Sequence, residues 1–197
     1  LRALFQAARA FLLQTKKGRA VIGKDTSMEF ELRPWRLSDA GSVARYANNK
    51  KIADNLRDAF PHPYTEAHAR AFIGACLRAG GERNCFRAVS VDGEAVGSIA
   101  VTLKDDVYRK SAELGYWLAE PYWNRGIMTE AVTRICRQAF AAYDIARIFA
   151  EPFACNAASQ RVLERAGFTL EGVLKMSVYK NGRMLDSCIY ALLKEEI

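Results

Sequence analysis

Two dipeptides constrain this chain more than any other feature. Asp92-Gly93 and Asn181-Gly182 each separate two runs of residues in which apolar and polar side chains alternate. A connection of two residues with left-handed propensity closes only an antiparallel pair. The runs Cys85 to Val91 with Ala95 to Leu103, and Phe168 to Tyr179 with Met184 to Leu193, therefore read as hairpins. Between them the pattern demands the opposite. A strand-like run, Ala112 to Ala119, passes through Pro121 into a 3.6-period helical stretch from Gly126 to Tyr143, followed by another strand-like run, Arg147 to Phe153. A strand–helix–strand crossover returns its second strand parallel to the first. One sheet that satisfies all three demands is mixed, with antiparallel neighbours and a parallel seam at the crossover.

The remaining elements fit around that sheet. Phe30 to Arg36 alternates as a strand; Ser38 and Asp39 can cap a helix running to Asn49, with a short second helix through Leu56. A Pro-rich loop, Phe60 to Tyr64, precedes a helix opened by Thr65 and ended by the Gly80-Gly81 pair. A last helix runs from Ala157 to Ala166, closed by Gly167. The order β-α-α-β-β-β-α-β-α-β-β predicts an α/β (α+β) fold: a mixed, mostly antiparallel seven-stranded sheet flanked by helices. Residues 28 to 197 read as one domain, long enough at 197 residues in all to bury a sizeable core. Trp35, Trp117, Phe140, Tyr143, Phe149 and Phe168 are expected to face it.

Residues 1 to 27 are different. They carry Arg2, Arg9, Lys16, Lys17, Arg19 and Lys24 against Asp25 alone, most of the net charge of +7. The remainder is nearly neutral and offers no electrostatic footprint for nucleic acid. Leu1, Leu4, Phe5, Ala8 and Leu12 share one helical face, which is compatible with a surface anchor or targeting peptide, but the plainer reading is upstream or added sequence ahead of Met28. No apolar run approaches the roughly 20 residues of a membrane span. The five cysteines form no C-x-x-C pair and sit among apolar neighbours, so they read as buried free thiols of a cytoplasmic protein. His62 and His68 have no ligand cluster beside them, so no metal is expected.

Hydrolase-elbow, P-loop and dinucleotide-fold signatures are missing from the sequence. What remains is the junction AELGYWLAEPYWNRGIMTEAV, residues 112 to 132, where a strand feeds a helix that opens at Arg125-Gly126. Unpaired N–H groups, a positive dipole end and a glycine that admits close approach make such a terminus a seat for pyrophosphate. Taken by itself, Gly126 equally suits a plain helix-entry turn.

These residues resemble the acetyl-CoA-binding region of the GNAT superfamily of N-acetyltransferases. Trp123, Gly126 and Met128 form W-x-x-G-x-M, similar to the variant in the ribosomal-protein N-terminal acetyltransferase (Rim) branch. The resemblance continues through LRPWRLSDA, Phe60 to Thr65, AELGYWL, GIMTEAV, NAASQRVLERAGF, Glu171-Gly172 and the closing Asp186, Tyr190 and Leu192. It implies that the sheet splays beside the Ala112 to Ala119 strand and admits the pantetheine arm of acetyl-CoA. Backbone groups near Trp117 and Leu118 would hold that arm and polarise the thioester carbonyl. The backbone of Arg125, Gly126, Ile127, Met128 and Thr129 would hold the pyrophosphate, and Asn156 would bond the pantetheine.

The same resemblance implies direct attack of an amine on the thioester, which needs a proton acceptor. Glu113 matches a glutamate that some relatives use as base, though an ion pair is an equal reading. The tyrosine that usually protonates the departing thiolate is replaced by Leu163; Ser159 matches a serine given that duty in the Rim branch, and is equally a helix-capping residue. Phe60, His62 and Tyr64 would line the acceptor site or simply pack locally. Arg161 and Arg165 read as a solvated helix face, and Asp186 as a turn brace or a substrate contact. The resemblance points to a protein or peptide N-terminal α-amino acceptor, with small amines such as polyamines, amino sugars or drugs as the alternative, in a monomer or homodimer. A catalytically silent CoA-binding module and a basic-leader surface binder are the rival classes.

Overall fold

The computed structural model describes residues 28–79 and 84–197. The amphipathic pattern of residues 1 to 27 and the helix stop at Gly80-Gly81 lie outside the described residues. Among the described residues there are seven strands, β1 (Glu31–Arg33), β2 (Asn84–Val91), β3 (Glu94–Leu103), β4 (Ser111–Leu118), β5 (Arg147–Ala150), β6 (Thr169–Lys180) and β7 (Arg183–Leu193). They form one sheet in the order β1-β2-β3-β4-β5-β7-β6. Every neighbouring pair is antiparallel except β4–β5. Both predicted hairpins are present, with Asp92, Gly93, Asn181 and Gly182 all at positive φ as such turns require.

Among the described residues five helices flank the sheet: α1 (Ala40–Ala47), α2 (Lys50–Ala53), α3 (Glu66–Arg78), α4 (Ile127–Ala142) and α5 (Ala157–Arg165). Thr65 caps α3 by accepting the His68 N–H at 3.3 Å. None of the described helices is long and apolar enough to cross a membrane. The apolar stripe of α4, including Ala131, Val132, Ile135 and Ala139, closes one face of the sheet on Val89, Ile99, Val101, Leu114 and Ile148. A smaller cluster covers the other face, where Val43 and Ala47 of α1 and Ile73 of α3 meet Trp35, Ala88 and Trp117.

Several expectations shift in detail. β1 is shorter than predicted because Pro34 cannot donate to a ladder and the chain turns into a 3₁₀ turn at Leu37–Asp39. The second helix ends at Ala53 rather than Leu56. Phe149 faces away from the α4 core: it alternates with the buried Ile148 and Ala150, and Lys104 Nζ lies 5.5 Å from its ring centre. Tyr143 is half-buried at the end of α4. Of the five cysteines, Cys155, in the turn between β5 and α5, is exposed, and Cys76, on α3, is half-buried.

One buried ion pair joins three segments. Arg33 grips both oxygens of Asp39 at 2.8 Å each and reaches the Gly93 carbonyl at 3.1 Å, while Asp39 also accepts the Arg36 N–H at 2.9 Å. Burial alone would raise the Asp39 pKa, but the hydrogen bonds from Arg33 and Arg36 together with their charge bring it below its ordinary value. Removing one partner would strand the other charge, so Asp39→Ala is expected to cost about 3–5 kcal/mol in a denaturant titration. A carboxyl with a depressed folded-state pKa stabilises above its unfolded value near 3.9 and loses that contribution as pH falls below it. Wild type should therefore lose stability below about pH 4 by this route, and the alanine variant should lack that component of the acid transition.

Candidate functional site

The seam between β4 and β5 lasts three pairs: Ser111↔Arg147, Ala112↔Ile148 and Glu113↔Phe149. β4 then continues to Leu118 while β5 ends at Ala150, and the two diverge. Peptide groups along a strand alternate in direction. Ala119 donates its N–H to Val96 at 2.8 Å, so the peptide groups of Ala119 and Trp117 face β3, and those of Tyr116 and Leu118 face the gap. Of the two residues expected to line the gap with backbone, Leu118 does so and Trp117 does not; the Trp117 side chain instead fills the second core. The Leu118 carbonyl accepts the Trp123 indole N–H at 2.7 Å, which leaves its N–H pointing into the opening. Gly97 makes this geometry possible: a Cβ there would lie 2.6 Å from the Trp117 carbonyl oxygen.

Beyond β4 the chain makes a 3₁₀ turn, Glu120–Tyr122, and enters α4. Glu120 is held by Asn49 at 2.7 Å and by Lys51, which ties this loop to the start of α2. Asn124 and Gly126 both have positive φ, 59° and 77°, and Gly126 is the N-cap residue without any side-chain cap. Its carbonyl accepts the first helical bond from Glu130 N–H at 3.1 Å. The N–H groups of Ile127, Met128 and Thr129 therefore have no acceptor within the helix. The Ile127 and Met128 side chains are buried in the core, which fixes the orientation of those three donors. Nothing lies within 4 Å of where a Gly126 Cβ would sit, so its backbone faces open space. The Arg125 guanidinium lies 5.9 Å from the Tyr122 ring centre and 3.7 Å from Met28 Sδ.

Across the gap stands α5. Asn156 caps it, its Oδ1 accepting the Ser159 N–H at 3.1 Å. The Ser159 hydroxyl lies 2.7 Å from the Tyr116 phenol, a hydrogen bond that spans the opening from β4 to α5. Burial raises the Tyr116 pKa well above its ordinary value despite the bond to Ser159, so the phenol holds its proton at neutral pH. Leu163 is fully buried and carries no chemistry here. Arg161 and Arg165 are exposed.

On the opposite face of the fork, both Glu113 oxygens are taken: one by Arg57, the other by Lys104 Nζ at 3.0 Å. This is the ion pair that stood as an equal reading beside the catalytic one. Phe60 stacks on Tyr64 at 4.8 Å and on Trp117 at 6.1 Å, and Tyr64 is buried, its phenol pushed up to about 12 by desolvation. Phe60 and Tyr64 thus pack against one another in the loop, whereas His62 is exposed. Asp186 braces a bulge in β6 by accepting the Met176 N–H at 2.8 Å, with Lys175 at 2.9 Å. A cavity of about 190 Å³ opens beside this face, lined by Arg57, Asp58, Glu151, Phe153, Tyr179 and Lys180 among others. No cluster of three metal-ligating side chains occurs among the described residues. Sequence reasoning missed Tyr116 and Arg57; the alternation of β4 gave Tyr116 a direction, but nothing in the sequence specified its partner.

Residues 29–169 match the family model of the acetyltransferase (GNAT) domain. An uncharacterized N-acetyltransferase of Bacillus subtilis, YoaA, is 34% identical over 101 residues, 51% of this chain and 56% of that protein. The chain spans little more than half the length of such relatives. Among solved structures, Mycobacterium smegmatis RimJ in complex with CoA-disulfide superposes with a TM-score of 0.77 at 26% identity, covering 87% of this chain and 85% of that one. RimL, a ribosomal L7/L12 α-N-protein acetyltransferase in complex with coenzyme A, gives 0.76 at 25% identity over 87% and 98%.

The Tyr116–Ser159 bond makes a measurable contribution on its own. Tyr116→Phe leaves the ring and removes the bridge, which at about 1 kcal/mol for a neutral hydrogen bond should lower Tm by roughly 2–4 °C.

Proposed function

The chain belongs to the GNAT acetyltransferase family, and from that premise we propose that it transfers an acetyl group from acetyl-CoA to a primary amine, its acceptor being the α-amino group of a protein or peptide. The observation that carries this reading is the fork: a strand edge with unused peptide groups leads directly to a helix N-terminus with three free, oriented N–H donors. An edge strand accepts an extended amide-bearing chain as an added strand, and the helix terminus accepts the anion at the end of that chain.

In this mechanism Tyr116 and Leu118 would bind the pantetheine amides with their peptide groups. The N–H groups of Ile127, Met128 and Thr129 would hold the pyrophosphate, with Arg125 as a nearby cation. Asn156 has its Oδ1 committed to Ser159 N–H and would offer its amide nitrogen to the pantetheine. The Leu118 N–H would stabilise negative charge on the thioester oxygen as the amine adds. Acetyl-CoA supplies an activated acyl group whose thiolate is a good leaving group. Ser159 would donate a proton toward the departing sulfur, and the protonated Tyr116 phenol bonded to it can replenish that proton. The expected family tyrosine at Leu163 is thus not needed, because a phenol reaches the same region from β4.

The α-amino acceptor rests on the likeness to RimL, whose name gives an α-N-protein activity. Two measurements test the reading. Calorimetry should show acetyl-CoA binding, and Gly126→Val, which forces a β-branched residue to φ 77° at a cost of about 1–3 kcal/mol, should weaken it at least tenfold while the protein still melts cooperatively. Thiol release should then appear with short peptides bearing a free α-amino group and not with their N-acetylated forms. Release with spermidine or glucosamine alone would replace the peptide acceptor by a small amine. Binding without release from any of them would make the chain a silent CoA-binding module.

A further inference from the structure

We propose that Glu151 is the carboxylate that binds the acceptor ammonium and takes its proton, an assignment that rests on the acetyl-transfer reading above and identifies its missing base. β5 runs Arg147, Ile148, Phe149, Ala150, with Ile148 and Ala150 buried toward α4. Continued alternation puts Glu151, the next residue, on the Phe149 side, the face that also carries Glu113 and Trp117. It therefore sits just past the last β4–β5 pair, where the fork opens, and it lines the cavity of about 190 Å³.

The cavity holds three other charged groups and one phenol. Lys180 is bound to Asp58 at 2.7 Å, and Arg57 is bound to Glu113. Each basic side chain is thus neutralised by a carboxylate other than Glu151, and Tyr179 is exposed to solvent. Glu151 forms no ion pair among the described residues. Its Oε1 accepts the Ser187 hydroxyl at 2.7 Å, and Ser187 is fully buried and itself 2.7 Å from Ser177 Oγ. That bond fixes the carboxylate through Oε1, while the two cations of the cavity, Arg57 and Lys180, are each held by another carboxylate. The backbone around it is equally fixed, with Cys188 N–H on the Pro152 carbonyl at 2.9 Å and Ala154 N–H on the Asp186 carbonyl at 2.8 Å. A half-buried carboxylate of this kind, rigid and unneutralised, is complementary to a primary ammonium. Glu113 lacks this vacancy because both its oxygens are already paired.

The proton inventory closes. The acceptor enters as R-NH₃⁺ and gives one proton to Glu151, which passes it to solvent. The neutral nitrogen forms a bond to the thioester carbonyl carbon and the carbon–sulfur bond breaks; Ser159 protonates the sulfur, Tyr116 reprotonates Ser159, and the nitrogen's second proton restores the phenol, giving the amide and the free thiol.

The test compares wild type, Glu151→Gln, Glu151→Asp and Glu113→Gln, with melting curves and acetyl-CoA calorimetry on each. Gln keeps the shape and an acceptor for Ser187, so fold and cofactor affinity should be retained. With free α-amino peptides, spermidine and glucosamine as probes, Glu151→Gln should lower kcat about 100-fold or more, and Glu151→Asp should retain an intermediate rate. Raising the pH from about 7 to about 9 should recover part of the Gln loss, because an α-amino group with an ordinary pKa near 8 then enters already neutral. A merely structural role would give no such recovery. If no probe is acetylated by wild type, the acceptor reading fails, and Glu151 is read from the slow hydrolysis of acetyl-CoA, in which water stands in the place of the amine; Gln should reduce that about tenfold or more. Peptide turnover or hydrolysis within threefold of wild type in Glu151→Gln, or a comparable loss in Glu113→Gln that raised pH relieves, overturns the proposal.

Discussion

The architecture depends on a ladder that stops early. A parallel pair normally continues as far as its shorter strand allows, yet here β4 and β5 share three residues and then part. β5 leaves because its continuation binds the other way: Pro152 offers its carbonyl to Cys188, and Phe153 bridges to Ser187, so the chain follows β7 rather than β4. The hydrogen-bonding capacity thereby released on β4 is what a ligand with amide groups can use. In a sheet without this divergence the same residues would be ordinary ladder members with nothing to offer.

The surrounding structure keeps the opening from closing or spreading. α4 packs across β3 and β4 on one face and presents its N-terminus at the end of the gap. The Tyr116–Ser159 bond sets the distance to α5, while Gly97 lets β3 and β4 approach where the β4 backbone must keep its direction. The unpaired backbone donors thus gather at the α4 side and along the edge. Charged side chains gather on the opposite face, and the two sets meet at the fork.

Much of this was legible in the sequence because it rests on local rules. Asp92-Gly93 and Asn181-Gly182 dictated both hairpins, the strand–helix–strand run dictated the parallel seam, and Gly126 marked the helix entrance. What escaped were pairings between residues distant in the chain. Glu113 could be placed on a strand, but not against Arg57, 56 positions away, or Lys104. Glu151 looked like any residue after a strand until Ser187, 36 positions later, was seen beneath it. Phe149 has the aromatic character of a core residue, but its position between the buried Ile148 and Ala150 turns it to the other face. Trp117 shows the same lesson in the backbone: composition suggested the right strand, and only the register with Val96 and Ser98 told which peptide groups face the gap.

The β6–β7 hairpin is attached to the rest of the molecule in an uneven way. Its base is woven into the sheet through β5, while its tip reaches the stretch that follows α2 through side-chain hydrogen bonds, Asn181 to Asp54 at 2.8 Å and Lys180 to Asp58 at 2.7 Å. None of the residues of the helix entrance or the β4 edge takes part in those contacts. Lengthening, shortening or recharging the tip would therefore reshape one wall of the cavity while leaving the helix entrance intact. The two can in this way diverge at separate rates under selection, the opening kept as it is while the wall beside it changes by exchange of one turn.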